Sequence, residues 1–388
     1  MKNAVKSLSG ALALVGAFAV QAQSTTGTPP ADGTAAPPSQ SSATPPRTGQ
    51  NPAPVSTGVT TTPGNESLSA SKLQQEKQGN GAAARNASPS AATSSTSAAP
   101  AMTPSVSEMS GKPSGQDLKT ASADRQARLP DMRMWQLSVG QLELDKGFLT
   151  AMVDAGKRIK IPVPAYLIQH PRGLVLFDTG MNVEVSDGNC ANYWGQGLCG
   201  AFTAIQGRDE VIDRQLRSLG FTPEDVTHVV YSHFHLDHAG NIEMFPKARH
   251  VVQKAELKTA WWPEKFQRAA YVLKDYDGTR DYDFVQLEGD FDLFGDGSLL
   301  LLDTQGHTQG HQSLQVNLKN TGTVLLAADA VYTAENEAGV IPGITWNTNA
   351  SMRAIDRLKQ IRDATQGALW YSHDPAQHAE RMKVKVYD

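Results

Sequence analysis

Three histidines and one aspartate fall within six consecutive residues, 233–238, which read HFHLDH. In an extended segment His233 and His235 share a face, because alternate side chains point the same way, and a turn at Asp237 directs Asp237 and His238 toward a second point. Imidazole and carboxylate groups are ordinary zinc ligands. Unrelated surface histidines are the alternative, but ten histidines scattered over 388 residues rarely place three in such a window. One short segment therefore predicts ligands for two adjacent metal ions.

Three further candidate ligands stand at the ends of predicted strands. They are His307, Asp329 and His373, which end or follow strands predicted at 299–303, 323–328 and 368–372. A site at the carboxyl ends of strands is the usual arrangement in an α/β sheet. Each residue taken alone has a structural explanation, but their common placement beside the 233–238 segment favours one shared site.

The candidate ligands divide into two sets of three. We assign one cation to the three-histidine group of His233, His235 and His307, and a second cation to the mixed group of Asp237, His238 and His373. Asp329 is a hard anionic ligand that is able to bridge both. Three imidazoles suit zinc, and the carboxylates also suit manganese, iron or cobalt. Two adjacent dications would lower the pKa of a shared water, so that hydroxide is available near neutral pH.

The first part of the chain differs in composition from the rest. Residues 1–22 combine a basic start, a short apolar run and small residues before a cut, which predicts a signal peptide and export to the periplasm or medium. An uncleaved anchor is the alternative. Residues 23–128 are rich in Ser, Thr, Pro, Ala and Gly, and so predict a disordered tail. Residues 129–388 have the size of one large α/β domain.

Charge and cysteine content narrow the function classes. The formal net charge is −4 and no basic patch with interleaved aromatics occurs, which argues against nucleic acid as a partner. No later stretch is apolar enough for a membrane span. Cys190 and Cys199, which are the only cysteines, flank a glycine-rich loop. In an exported protein this pair favours a disulfide, with a metal-binding thiol pair as the alternative.

Periodicity predicts a mixed α/β fold. Helices are expected at 209–219 and 351–361, and a hairpin at 134–139 and 141–144. The other predicted strands lie at 165–169, 174–177, 227–231, 249–253, 284–287, 299–303, 312–318, 323–328 and 368–372. Two successive β-rich blocks, each closing with a helix and a strand, predict two sheets packed face to face with helices outside.

The motifs together resemble the metallo-β-lactamase superfamily over most of residues 133–388, and within it the N-acyl homoserine lactonases. The motifs that carry the resemblance are VPAYLI at 163–168, LFDTGM at 176–181, SHFHLDHAG at 232–240, GHTQGH at 306–311, HQSL at 311–314, DAVY at 329–332 and SHD at 372–374. The resemblance implies an αβ/βα four-layer sandwich, a two-metal site with the seven ligands assigned above, and opening of a homoserine lactone ring by a metal-bridging hydroxide.

The resemblance also implies roles for single residues. Tyr332 would orient the substrate carbonyl and stabilise the oxyanion, although without the resemblance it would be taken as a core tyrosine at a strand end. Asp237 would carry a proton to the leaving ring oxygen, and Leu236 would face the substrate. His311 and Asp178 would support the site without binding metal.

Two rival functions remain open at this point. One is a broad lactonase, arylesterase or organophosphate hydrolase acting at the same two-metal site. The other is a secreted binding protein with no catalytic activity. Many relatives are dimers, so a homodimer is a further expectation.

Overall fold

The computed structural model describes residues 126–388, which contain twelve strands in two sheets. Seven strands form the large sheet in the order β4-β1-β2-β3-β5-β6-β7, and five form the small sheet in the order β12-β11-β10-β9-β8. The strand bounds are β1 Arg133–Asp145, β2 Arg158–His170, β3 Gly173–Phe177, β4 Thr203–Ile205, β5 His228–Val230, β6 Arg249–Gln253, β7 Asp283–Leu287, β8 Phe291–Asp292, β9 Leu299–Asp303, β10 Gln312–Leu318, β11 Gly322–Leu326 and β12 Ala368–Trp370.

In the described part of the chain, seven complete α-helices and several short 3₁₀ helices lie between or after these strands. The helices are α1 Cys190–Tyr193, α2 Gln196–Ala201, α3 Ile212–Ser218, α4 Lys254–Trp261, α5 Ala334–Glu337, α6 Thr348–Thr365 and α7 Pro375–Arg381. The Asn347 side chain caps α6 by accepting the Ala350 N–H, and Gln366 ends it in the left-handed conformation. Both predicted helices are present, α3 shorter and α6 longer than expected. None of the helices within 126–388 has the length and apolar character needed to cross a bilayer.

Alternating apolar residues pack the two sheets face to face. On β3, Val175 and Phe177 join the core between the sheets, whereas Leu174 and Leu176 face the helices outside the large sheet. On the small sheet Leu325 of β11 packs with α6, while its neighbours in the strand face the other sheet. This period of two buries both faces of each sheet. The predicted αβ/βα four-layer sandwich is therefore confirmed.

The hairpin predicted at 134–144 is wrong, because these residues form the single strand β1. Its pairing with β2 shifts register between Ser138 and Gln141, and Gly140 in that interval has φ 104°. A Cβ atom on Gly140 would lie 2.7 Å from Met181 Cε. The glycine therefore marks a β-bulge and a close approach, two features that share their sequence signal with a turn.

Strand direction brings the candidate ligands to one edge. β11 and β12 are parallel, and β9 and β11 both pair antiparallel with β10, so β9, β11 and β12 all run in one direction. Their carboxyl ends lead to His307, Asp329 and His373, as predicted from the sequence. β5 delivers the 233–238 segment from the facing sheet.

The predicted signal peptide and nearly all of the predicted tail lie outside the described residues. Gln126, assigned to the tail by composition, donates from Nε2 to the Lys319 carbonyl at 2.7 Å. Leu129 is buried. Residues 126–129 thus contact the domain.

A disulfide joins Cys190 and Cys199, as the sequence predicts. The loop it closes carries Tyr193, whose hydroxyl donates to Asp275 Oδ1 at 2.7 Å. Asn182 Nδ2 donates to the same oxygen at 3.1 Å. Asp275 is buried, and this burial raises its pKa to about 8.

We expect replacement of both cysteines by serine to lower the free energy of unfolding by about 2–4 kcal/mol, since a cross-link restricts the unfolded chain. Denaturant titration of the oxidised protein and the double variant measures this. Mass spectrometry before and after reduction should differ by two hydrogen masses. An unreduced mass equal to the reduced mass contradicts the pairing.

Asp275 gives the domain a pH-dependent stability. The folded protein holds this proton up to pH about 8, whereas an unfolded aspartate releases it near 3.8, so unfolding releases a proton between these values. Stability must therefore fall as pH rises through this window. Asp275→Asn removes the effect, and the variant should gain stability relative to the parent from pH 4 to pH 8. Parallel stability curves for the two proteins would refute this.

Candidate metal centre

The three-histidine group is assembled from two buried loops. His307 Nε2 lies 3.0 Å from His233 Nε2 and 2.9 Å from His235 Nδ1. His307 Nδ1 lies 3.0 Å from the Ile344 carbonyl, which only accepts, so the ring proton sits on Nδ1 and Nε2 carries a lone pair. Ligand atoms of the three imidazoles thus converge on one point, as the sequence predicts.

The mixed group lies beside it and combines one carboxylate with two imidazoles. Asp237 Oδ2 is 3.6 Å from the Nε2 atoms of both His238 and His373. His373 Nδ1 donates to the Pro162 carbonyl at 2.9 Å, which leaves the Nε2 lone pair directed at the site. The second predicted set is therefore also brought together.

Asp329 lies between the two groups. Its Oδ2 atom is 3.7 Å from His233 Nε2 and 3.3 Å from His307 Nε2. Its Oδ1 atom is 3.3 Å from His238 Nε2 and 3.1 Å from His373 Nε2. Each carboxylate oxygen therefore faces a different group, which is the geometry of a bridging ligand.

Two buried atoms test whether this donor set fits cations. Within residues 126–388, neither His238 Nε2 nor Asp329 Oδ1 has a hydrogen-bond partner, although both are buried. Buried polar atoms are nearly always paired. The Nδ1 atom of His238 lies 2.8 Å from a carboxylate oxygen of Asp178, so in the neutral ring the proton is used there and Nε2 is an acceptor. The facing Nε2 and Oδ1 atoms then need a proton or a cation between them, and the imidazole and carboxylate donors fit two divalent ions.

Asp178 orients a histidine of each group without joining either. Its Oδ2 atom accepts from His238 Nδ1 and from the Ser232 hydroxyl, at 2.8 and 2.7 Å. The Ser232 oxygen in turn accepts from His233 Nδ1 at 3.0 Å. These bonds fix both ring tautomers with Nε2 directed inward. The sequence predicts support through the Thr179-Gly180 turn, whereas Asp178 contacts His238 directly and reaches His233 through Ser232.

His311 holds the backbone at Asp329. Its Nε2 atom accepts the Asp329 N–H at 3.0 Å, so Nδ1 carries the proton and donates to Thr304 Oγ1 at 2.9 Å. The Thr304 hydroxyl in turn forms a hydrogen bond with the Ser313 hydroxyl, which donates to a main-chain carbonyl. Ala328 has φ 45°, an unusual conformation for a residue with a side chain. His311 thus stabilises a strained turn and is not a ligand, in agreement with the sequence analysis.

Burial and carboxylates set the protonation of the ligands. Burial lowers the pKa of His233 and of His235 well below the usual value, which keeps both imidazoles neutral and able to ligate. Burial also acts to lower the pKa of His238 and His373, but the adjacent carboxylates outweigh it and raise both. Protons therefore compete with a cation mainly at the mixed group.

Tyr332 and Leu236, the two predicted substrate contacts, are both buried beside the ligands. The Tyr332 hydroxyl lies 3.0 Å from the Ile344 carbonyl and 2.7 Å from His307 Nδ1. Its ring stacks on that of His373 with centroids 5.8 Å apart. The Leu236 N–H donates to the Ala270 carbonyl at 3.1 Å, which connects the 233–238 segment to the chain after α4.

Several histidines and tryptophans lie outside both groups. Trp194 is buried, whereas Trp262 is 89% exposed. His250 bonds to Tyr231 and to a main-chain carbonyl. Sequence reasoning missed Glu256, a buried carboxylate between the two ligand loops. Its one sequence signal was an acidic residue in the first turn of a helix that directly follows a strand.

Comparison with known proteins agrees with this geometry. The family model described as the metallo-β-lactamase superfamily matches residues 159–367, more than half of the chain. N-acyl homoserine lactonase AttM of Rhizobium johnstonii is 35% identical over 270 residues, covering 67% of this chain and 99% of that protein. N-acyl homoserine lactonase AiiA of Bacillus thuringiensis subsp. kurstaki is 28% identical over 242 residues, covering 62% and 93%.

A solved structure shares the fold. It is an N-acyl homoserine lactone hydrolase with the product N-hexanoyl-L-homoserine bound at its catalytic metal centre. The superposition has a TM-score of 0.59 at 27% identity and covers 65% of this chain and 97% of that one. The similarity therefore spans the domain and nearly the whole length of these proteins, and the long N-terminal segment is additional.

The ligand assignment predicts different metal losses for different variants. His235→Ala should reduce the bound metal from two ions to about one per chain, because only the three-histidine group loses a ligand. Asp329→Ala should weaken both ions, since its two oxygens face both groups. His378→Ala, a histidine on α7 outside both groups, serves as the control. Metal analysis of the purified variants decides, and full occupancy in Asp329→Ala would contradict the bridging position.

Proposed function

Because this chain belongs to the metallo-β-lactamase superfamily and within it to the N-acyl homoserine lactonase family, we propose that it opens the lactone ring of N-acyl homoserine lactones with two divalent cations. The observation that carries the proposal is the convergence of seven ligands into two groups that share Asp329. A relative of which 99% of the length is matched is named for this activity.

The reaction adds water to the lactone carbonyl carbon and breaks the bond from that carbon to the ring oxygen, which leaves as a hydroxyl. When bound, the cations polarise the carbonyl group and lower the pKa of water. The protein holds them through the three-histidine group, the mixed group and Asp329. We propose zinc for both positions, because imidazole nitrogen dominates the ligand set. Metal analysis of protein purified without added metal tests this choice.

Tyr332 is placed to stabilise the negative charge on the carbonyl oxygen. Its O–H donates to the Ile344 carbonyl, and rotation toward a substrate exchanges that acceptor for the oxyanion. The Ile344 carbonyl keeps a donor during this exchange, because His307 Nδ1 also bonds to it. Breaking the Tyr332 bond therefore leaves no buried acceptor unpaired.

We assign proton transfer to Asp237. Its carboxylate lies in the mixed group, 3.6 Å from two imidazole nitrogens, and is buried. A carboxylate in this place takes the proton that water releases and delivers it to the departing ring oxygen. Leu236, the residue before it, is proposed to contact the substrate and to influence the preference among acyl chains.

The N-terminal composition supports a proposal about location. We propose that residues 1–22 direct export and are removed after Ala22. The disulfide between Cys190 and Cys199 agrees with an oxidising compartment. N-terminal sequencing of protein from the periplasm and the medium tests the cut. Recovery of the chain only from cytoplasm, with residue 1 intact, would reject it.

We also propose that the protein forms a homodimer. Analytical ultracentrifugation tests this proposal.

The substrate proposal predicts the ranking of a reaction panel. We expect the highest kcat/KM for N-acyl homoserine lactones with short and long chains, and lower values for a simple lactone, an aryl ester, a phosphotriester and a β-lactam. Mass spectrometry of the ring-opened product confirms the reaction. A phosphotriester or aryl ester as the best substrate would favour the broad-hydrolase alternative.

Tyr332→Phe isolates the role of the hydroxyl. We expect kcat to fall by about 100-fold, because one oxyanion donor is lost, while the bound metal stays unchanged. Leu236→Phe, beside the ligands but without a hydroxyl role, is the comparison and should change acyl-chain preference more than kcat. An unaltered kcat in Tyr332→Phe removes the proposed role.

A further inference from the structure

Glu256 is a charged residue in the interior of the domain. It stands in the first turn of α4 and its exposed fraction is 0%. Ion pairs with Lys, Arg or His are lacking for it within the described part of the chain. A buried carboxylate is costly unless hydrogen bonds compensate it. Burial raises the pKa of Glu256, and its hydrogen-bond donors act in the opposite direction.

Four donors surround this carboxylate. Oε1 accepts the Phe234 N–H at 2.9 Å and the Tyr271 hydroxyl at 3.0 Å. Oε2 accepts the Thr308 hydroxyl at 2.6 Å and the Gly310 N–H at 3.1 Å. Because all four partners donate, the ionised carboxylate satisfies each of them. Because two donors point at each oxygen, position 256 requires a side chain with two acceptor oxygens.

Three of these four donors belong to the two loops that supply the three-histidine group. Phe234 lies between His233 and His235, and Thr308 follows His307 directly. The third contact, Tyr271, packs its ring edge-on against His235, with centroids 4.8 Å apart. Glu256 is therefore hydrogen-bonded to residues that are adjacent in sequence to all three members of the three-histidine group.

The loop that carries His307 is pressed against the start of α4. A Cβ atom on Gly310 would lie 2.2 Å from the Glu256 nitrogen and 2.6 Å from its Cβ atom, so only glycine permits this approach. One turn later, Thr259 Oγ1 donates to Gln309 Oε1 at 2.7 Å. The distance between helix and loop is thus fixed by contacts on two turns of α4.

Support for the mixed group comes from other residues. His238 is held by Asp178, and His373 by the Pro162 carbonyl. Neither of these partners bonds to Glu256, and none of the four bonds of Glu256 reaches a residue of the mixed group. The two groups therefore have separate supports, apart from Asp178, which also reaches His233 through Ser232.

We propose that Glu256 is a positioning residue that sets the spacing of the two ligand loops and so governs cation binding at the three-histidine group, but not at the mixed group. The inference rests on the two-cation site of the proposed function. It can be tested separately from the proposed substrate, because it concerns only the cation affinity of one position.

Glu256→Gln is the principal variant. Glutamine keeps the size of the side chain and one acceptor oxygen, but its amide donor then opposes either the Phe234 or the Gly310 N–H. We expect zinc affinity at one position to fall about 10–100-fold, the range for residues that orient ligands, while the other position is unchanged. Competition with a chelating dye measures both affinities in the full-length protein.

Cadmium-113 NMR identifies the weakened position. The parent protein should give two resonances, because one cadmium has mainly nitrogen ligands and the other has an added carboxylate. His235→Ala and His373→Ala assign the signals by removing one ligand from each group. In Glu256→Gln the resonance lost or broadened should be the one that His235→Ala affects.

Two further variants separate positioning from stability. Asp275→Asn is a matched change of a buried carboxyl to an amide, outside both groups, and should leave both zinc affinities unchanged. Thr308→Val removes one donor to Glu256 with little change in shape, and should weaken the same position less. This variant carries the test if Glu256→Gln does not fold.

The results separate the inference from the proposed function. Equal weakening of both positions, or weakening of the mixed group alone, would overturn the role of Glu256, and so would unchanged affinities in Glu256→Gln and Thr308→Val. A parent protein that binds two zinc ions but opens no lactone would reject the proposed function and leave the zinc measurements valid.

Discussion

The site depends on the position of one carboxylate among four imidazoles. Asp329 directs one oxygen toward the three-histidine group and the other toward the mixed group. Burial of so many polar groups is tolerable only when their lone pairs are matched by protons or cations. The strained turn at Ala328 and the bond from His311 place this carboxylate. The two cation positions are thus linked through a single side chain.

Four of the five imidazole ligands are held by a hydrogen bond from the ring nitrogen that points away from the site. Main-chain carbonyls take the outer protons of His307 and His373, while Ser232 and Asp178 take those of His233 and His238. The inner nitrogen of each of these four rings is thereby directed at the site, where a cation or, in the mixed group, a proton binds it. Such preparation reduces the reorganisation that binding requires.

Local patterns explain which features the sequence could predict. The strands at 249–253, 299–303 and 312–318 match their predicted bounds, because alternation and flanking turns are local signals. The ligands were recognisable for the same reason. Gly140 misled the prediction of β1, since bulges and turns both use glycine. The role of Glu256 could not be predicted, because it arises only when a loop 52–54 residues later packs on α4. An acidic residue at a helix start also has an ordinary explanation, the favourable interaction with the helix dipole.

The Ile344 carbonyl accepts from both His307 and Tyr332, and it belongs to a segment that reaches the surface at Ile341 and Trp346. Neighbouring residues pair with the 148–151 chain, where the Ala151 N–H donates to the Ile341 carbonyl. Substitutions in residues 341–346 that move this carbonyl would therefore affect the orientation of His307 and of the Tyr332 hydroxyl together. Related proteins that differ in this segment would then differ in catalysis while they keep the same metal ligands.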